Sequence, residues 1–414
     1  MNRRWVLGTA LAALTLLAAA CAGSTPDRSE LVWAVGGAEA RTPRETAEMW
    51  NQLHPNGPKV RIETLPESTD DQRQQVSLEL VAQSPIFDIL TLDVIWTGEF
   101  AENGWLEPLE DLRPQIEKVS LPGPLQSATW NGTLWAAPQF TDAGLLYYRT
   151  DLVDRPPATW DELVRVGMEA GKKAGIAPFV SDGAQYEGMV VNFLEYFWSA
   201  GGDLFDKDGQ VLFQESPALK AIDFMHTAQQ EGFYAPGFNT MRLEDARNEF
   251  QAGNAVFMRS WPYAYSLMTG EDPTNPSAVA GKFSIAPLPT FSGKGTVSAL
   301  GGWNLGVSRF SDNVTAAKEF VLFASTNPDV QSNFGRRSLA PAMASVYQDL
   351  ASDPVMALLA RILPDAKPRP STPDWNAISR KIQQQIFPAY NGQRDPRAAV
   401  AAIRAFLEST VSRD

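Results

Sequence analysis

L-V-W-A-V at residues 31–35, T-P-R-E-T-A-E-M-W-N-Q-L at 42–53, V-R-I-E-T-L at 60–65 and F-D-I-L-T-L-D at 87–93 read as strand, helix, strand and strand, with a further helix around Asp71 to Ala82 before the last. Short apolar runs ending on a turn such as Gly36-Gly37 are buried strands. Thr42 is expected at the helix N-cap, with Pro43 at the first helical position, where its missing N–H costs nothing. Strands alternating with helices predict an α/β fold on a mostly parallel sheet covered on both faces. Ligands on such sheets sit at the carboxyl ends of strands. Gly37, Glu39 and Asp93 stand at those ends.

Upstream of this unit, Arg3 and Arg4 precede an apolar run over residues 5–20 that is short for a membrane span and closes on Ala18, Ala19 and Ala20. This is the pattern of an export signal. Cys21 follows and is the only cysteine of the chain. A lone thiol cannot form an internal disulfide, so its place directly after the signal implies that it is consumed chemically. L-A-A-A-C resembles a bacterial lipobox, with Ala18 where the motif usually has Leu. That resemblance implies a lipid-modified Cys21 opening the mature protein, with residues 21–30 as a small polar tether. An ordinary cleaved signal with an incidental cysteine is the alternative.

The chain has 414 residues, enough for two domains with their own cores, and a net charge of −13. An acidic surface repels nucleic acid and anionic lipid, so contact with the membrane is expected through the lipid alone. The 12 tryptophans supply core, and also flat faces suited to sugar rings. Further along, W-D-E-L-V-R-V-G-M-E-A-G-K-K-A is a helix capped by Thr159, and residues 190–200 form another. L-F-D-K-D-G-Q-V-L-F predicts a hairpin turning at Asp208-Gly209. Asp206, Asp208, Gly209 and Glu215 match part of a calcium loop, but Leu204 stands where its first carboxylate belongs, so no metal is expected.

Several segments in order are similar to the solute-binding proteins of carbohydrate ABC importers, the maltose-binding-like family: D-V-I-W-T-G-E-F-A-E-N-G-W-L-E-P-L-E-D-L, L-W-A-A-P-Q-F-T-D-A-G-L-L-Y-Y-R-T-D-L, F-Q-A-G-N-A-V-F-M-R-S-W-P-Y-A-Y, G-G-W-N-L-G-V-S and A-A-K-E-F-V-L-F-A-S-T-N-P-D-V-Q. D-D-Q-R-Q-Q, the Asp93 segment, Q-Y-E-G and K-P-R-P-S-T-P resemble the trehalose-binding lipoproteins of actinobacteria. The resemblance implies a periplasmic-binding-protein fold of two α/β lobes with three hinge crossings, near 139–143, 298–301 and 325–328. Residues 31–140 plus 300–326 would form the first lobe, and 142–298 plus 328–414 the second. It also implies a monomer that takes a small carbohydrate, α-linked disaccharides first, and delivers it to permease subunits, without a cofactor.

A disaccharide needs carboxylates and Arg for charge-assisted hydrogen bonds and aromatic faces for stacking. Trp261, after a strand, is placed in the cleft by the resemblance, with core packing as the alternative. Tyr263 is a further candidate, and Trp303 and Phe140 are candidates for the cleft wall. Asp93 ends an apolar strand, where an unpaired buried carboxylate would be costly; its rival role is a helix cap. Glu39 is either a ligand carboxylate or a solvated helix start, Asp71 a ligand or an N-cap, and Asp142 a sugar contact or a hinge shaper. Glu187 matches a cleft carboxylate of the second lobe. Gly301 and Gly302 permit close backbone approach. Arg369 would fork onto two hydroxyls, with a surface salt bridge as the alternative.

A glycoside hydrolase would use Asp93 and Glu187 as acid and nucleophile about 5–10 Å apart. No motif here imposes that geometry. His54 and His226, with no H-E-x-x-H or G-x-S-x-G, leave little for metallohydrolase or serine-triad chemistry. S-G-K-G-T at 292–296 lacks the earlier P-loop glycine and reads as a turn. A receptor of the same fold for an oligosaccharide or polyol remains the other alternative.

Overall fold

A computed structural model describes residues 30–37, 41–206, 208–295, 297–370 and 372–411. The first unit forms as the sequence predicts: β1 (Glu30–Gly36), α1 (Arg41–Leu53), β2 (Lys59–Leu65), α2 (Thr69–Val81) and β3 (Ile89–Asp93). β1 pairs in parallel with both β2 and β3. Helix α1 starts at Arg41, which puts Thr42 inside the first turn rather than at the cap. Short helices α3 (Thr97–Glu102), α4 (Arg113–Val119) and α5 (Pro122–Ser127) and a small hairpin, β4 (Thr129–Trp130) with β5 (Thr133–Leu134), lead to β6 (Ala136–Ala143).

The chain passes into a second sheet at Gly144. β7 (Leu145–Arg149), α6 (Trp160–Ala174), β8 (Ala177–Val180), α7 (Glu187–Ser199), α8 (Glu215–Gln230), α9 (Leu243–Gln251), β9 (Ala255–Ser260), α10 (Ala264–Met268) and β10 (Phe283–Pro287) follow. The strand order there is β10-β7-β9-β8. Helix α6 carries its expected cap: Thr159 Oγ1 accepts from the Glu162 amide at 3.0 Å, and Gly175 closes the other end at φ 72°. The Asp208-Gly209 hairpin is reduced to the bridge Phe205–Val211, and Asp206 Oδ1 accepts the amides of Asp208 and Gln210 at 2.9 Å, so that carboxylate closes its own turn. Among the described residues no cluster of three or more His, Cys, Asp or Glu could hold a metal.

β11 (Ala299–Val307) returns to the first sheet, followed by α11 (Val314–Thr326), α12 (Pro328–Arg336), β12 (Ala340–Pro341), α13 (Pro354–Ile362), β13 (Lys367–Pro368), α14 (Trp375–Tyr390) and α15 (Pro396–Val411). The first sheet runs β12-β6-β11-β3-β1-β2, with β13 beside β11. It is mixed rather than mostly parallel, because β11 lies antiparallel to both β3 and β6. Alternation of elements cannot reveal this, since β11 lies far along the chain from both partners.

The expected third crossing near 325–328 is also corrected. Asn327 caps α12 through the amides of Asp329 and Val330, so S-T-N-P turns a corner between two helices of one lobe. Buried Gln331 pins α12 to the first sheet, donating to Gln139 O at 3.0 Å and accepting from the Ala342 amide at 3.0 Å. Residues 328–341, expected in the second lobe, therefore stay with the first. The passage lies later, where β13 pairs with β11 and α14 then packs on α7 and α8.

Most tryptophan is core. Trp33 is fully buried, meets Phe320 edge-on at 5.1 Å and donates to Thr91 at 2.8 Å, which seats α11 on the sheet. Trp160 meets Tyr196 at 4.8 Å beneath α6. No helix among the described residues is long and apolar enough to cross a membrane.

Gly302 is the point of the ladder that calls for glycine. Its φ is 120°, the register shifts just beyond it, and a Cβ there would lie 2.5 Å from Phe140 O and 2.7 Å from Thr141 Cα. Both are backbone atoms and cannot rotate away. Gly302→Ala should therefore cost about 1–3 kcal/mol or more, read as a lowered thermal midpoint; a wild-type midpoint would mean that the ladder relaxes at this site.

Candidate functional site

The carboxyl ends of β3 and β6, the start of α7, the segment after β9 and the start of β11 converge on one cleft between the sheets. Of the residues expected from the sequence, Asp93, Asp142, Glu187, Trp261, Gly301, Gly302, Trp303 and Arg369 line it together. The cavity they line is about 80 Å³, a few waters' worth.

Arg369 dominates the site. Its side chain is 3% exposed, with Nη2 donating to Asp93 Oδ1 at 3.0 Å and Nη1 to Glu187 Oε1 at 2.8 Å. Glu187 also accepts from Trp375 Nε1 at 3.1 Å and, through Oε2, from the Ser379 hydroxyl. Asp93 Oδ1 accepts the Ile95 amide at 3.3 Å as well. Burial pushes both carboxyls up, and Arg369 between them offsets part of that rise. The same guanidinium separates the two carboxylates that a hydrolase would need astride a glycosidic bond.

Trp261 follows β9 and is half-buried, its six-membered ring so close to Gly301 that a Cβ there would fall 2.8 Å from Trp261 Cζ3. Glycine at 301 is thus required by a side chain from the other lobe. Trp303 meets Trp96 edge-on at 5.8 Å and closes the wall. Asp142 is buried and pairs in register with Gly301.

Three expected residues that the structure describes are not among those lining the cleft. Phe140 is core, stacked on Phe334 at 5.5 Å, because its side chain faces α12. Tyr263 is buried, donates its hydroxyl to Glu244 and lines a separate groove with Tyr265 and Arg337. Asp71 is exposed at the rim, 3.5 Å from Arg242 across the lobes. Glu39 lies outside the described residues, as does Cys21.

The sequence reading missed Asp182, Tyr186, Gln72 and Glu67. Asp182 had a signal: it stands two residues past the apolar strand A-P-F-V, the kind of place that flagged Asp93. The Tyr186 hydroxyl donates to Asp182 Oδ1 and accepts the Leu243 amide at 3.1 Å.

Burial raises the Asp182 carboxyl to about 7, with Arg259 opposing and Glu195 and Glu244 adding to the rise. The folded chain then holds a proton that the unfolded chain releases from about pH 4, so this group's contribution to stability falls as pH rises from about 4 to 7 and stays low above. Asp182→Asn should remove that slope, its thermal midpoint gaining on wild type across that window; a constant gap would show that Asp182 holds no such proton. Removing Arg369 strands two buried carboxylates, so Arg369→Met should cost roughly 3–5 kcal/mol, and an unchanged midpoint would mean that water reaches both.

Comparisons with known proteins bear on the family. Residues 31–331 match the family model described as bacterial extracellular solute-binding protein. A probable ABC transporter-binding protein of Deinococcus radiodurans is 30% identical, over 88% of this chain and 89% of its own length. A mannitol-binding protein of Pseudomonas aeruginosa is 25% identical, over 80% and 81%. The solved structure of maltose-bound T. maritima MalE3 superposes with a TM-score of 0.86 at 36% identity, covering 92% of this chain and 99% of that one. With two sheets meeting at a lined cleft and a match across most of its length, this chain belongs to the bacterial extracellular solute-binding protein family.

Proposed function

We propose that this protein captures an α-linked disaccharide outside the cell by closing its lobes on it, and delivers the intact sugar to the permease subunits of an ABC importer. The observation that carries the reading is the cleft itself: an Arg369 fork, the carboxylates of Asp93 and Asp142 and the Trp261 face meet where both lobes contribute. These are the groups that hydroxyls and sugar C–H faces require. A ligand touching both lobes binds the closed form better and shifts the population toward it. Likeness to a maltose-bound protein at 36% identity supports an α-glucosyl disaccharide, and the trehalose-like segments put trehalose first. A polyol is the second reading, supported by the mannitol-binding relative.

Within this reading Asp93, Asp142, Trp261, Trp303, Gly301, Gly302 and Arg369 bind sugar, and Glu187 orients Arg369. Residues 1–20 direct export, and a lipid on Cys21 holds the mature chain at the outer face of the cytoplasmic membrane. Several acyl chains are needed for a durable anchor.

Calorimetric titration of residues 24–414 with trehalose, maltose, sucrose, maltotriose and mannitol tests the ligand class. Trehalose or maltose should bind at one site with a Kd of about 1 μM, ~8 kcal/mol, and be recovered intact. Tighter binding of mannitol would hand the site to polyols, and free glucose would revive a hydrolase. Trp261→Ala should weaken binding by ~2 kcal/mol or more; an unchanged Kd would make Trp261 a packing residue. Cys21→Ser should release the protein from membranes, and its retention there would sink the lipid anchor.

A further inference from the structure

The buried pair Glu195–Arg259 lies behind the cleft, joined to the hinge on one side and to Trp261 on the other. Glu195 on α7 and Arg259 on β9 have side chains 2% and 3% exposed, and they form a two-pronged bond: Arg259 Nε donates to Oε2 at 2.9 Å and Nη2 to Oε1 at 2.6 Å. Glu195 Oε1 also accepts the amide of Ala299 at 3.1 Å, the first residue of β11 as the chain re-enters the first sheet. At the other crossing, a Cβ on Gly144 would sit 2.4 Å from Glu195 Oε1 and 2.6 Å from Arg259 Nη2. The two crossings are themselves tied, Ser298 Oγ donating to Gly144 O at 2.8 Å. Toward the cleft, the Arg259 guanidinium lies over the Trp261 ring at 4.2 Å from its centroid, and that ring rests on Gly301.

We propose that the Glu195–Arg259 pair is a positioning device that couples hinge rotation to the placement of Trp261, so that closing the lobes sets the sugar-stacking ring. A carboxylate bonded to a hinge amide cannot stay put while β11 rotates, and its bidentate grip carries the guanidinium with it. The flat guanidinium in turn fixes the indole by stacking, a task a lysine ammonium cannot perform. The proposal rests on the sugar-binding reading for its first test and not for its second.

The first test is a double-mutant cycle on trehalose and maltose affinity with Arg259→Lys, Trp261→Phe and the double variant. Arg259→Lys should weaken binding about tenfold or more while adding little once Trp261 is replaced, the non-additivity expected of residues acting as a unit. Additive losses, or wild-type affinity in Arg259→Lys, would overturn the coupling. The second test needs no sugar: the emission of Trp261, isolated as wild type minus Trp261→Phe, should change in Gly144→Ala, which adds one methyl at the hinge and removes no charge. An unchanged Trp261 emission in folded Gly144→Ala, checked by circular dichroism, overturns the proposal even if Arg259→Lys does not fold. If wild type takes neither sugar, the carbohydrate reading falls and the emission comparison still decides the coupling.

Discussion

A guanidinium sealed from water must have anions beside it, and Arg369 takes one from each side of the cleft. Asp93 ends a strand of the first sheet, and Glu187 opens a helix over the second. The cost of burying one cation is offset only when both lobes present their carboxylates at hydrogen-bond distance. The closed arrangement therefore has an electrostatic reference point. Rim contacts such as Arg242–Asp71 at 3.5 Å and Arg41–Asp272 at 3.7 Å are exposed and contribute little beside it.

A second constraint is mechanical. β6 and β11 run antiparallel through the first sheet and leave it side by side, so the two crossings at Gly144 and Ala299 are bonded to each other rather than free. A ladder of this kind bends as a unit, and the residues that line the cleft sit on it at Asp142, Gly301 and Gly302. The lining of the cleft and the hinge geometry are properties of the same two strands. Gly302 meets the ladder's geometry because, lacking a Cβ, it takes up φ 120° freely.

Legibility differed by the range of the interaction. The β1–α1–β2–α2–β3 unit and the Thr159 cap depend on residues within a turn or two of one another, and apolar runs and cap chemistry report these directly. Asp93 was visible because a carboxylate closing an apolar strand has no cheap structural role. Asp182 carried the same signal and was passed over. Phe140, on β6, and Tyr263, in the turn before α10, are misplaced because where each side chain packs depends on its contacts, here Phe334 and Glu244, which no local pattern names.

The sequence by itself determined the α/β class, the export signature ahead of Cys21, the family through its ordered segments, and most of the charged and aromatic groups that meet in the cleft. Tertiary structure alone decided the mixed pairing of β11, the retention of residues 328–341 in the first lobe, and the division of labour by which Glu187 holds Arg369. The physical reason is common to these. Strand partners and ion pairs such as Arg369–Asp93, separated by 276 positions, are chosen by what burial leaves unsatisfied, and a buried polar group finds its partner only when the chain has folded around it.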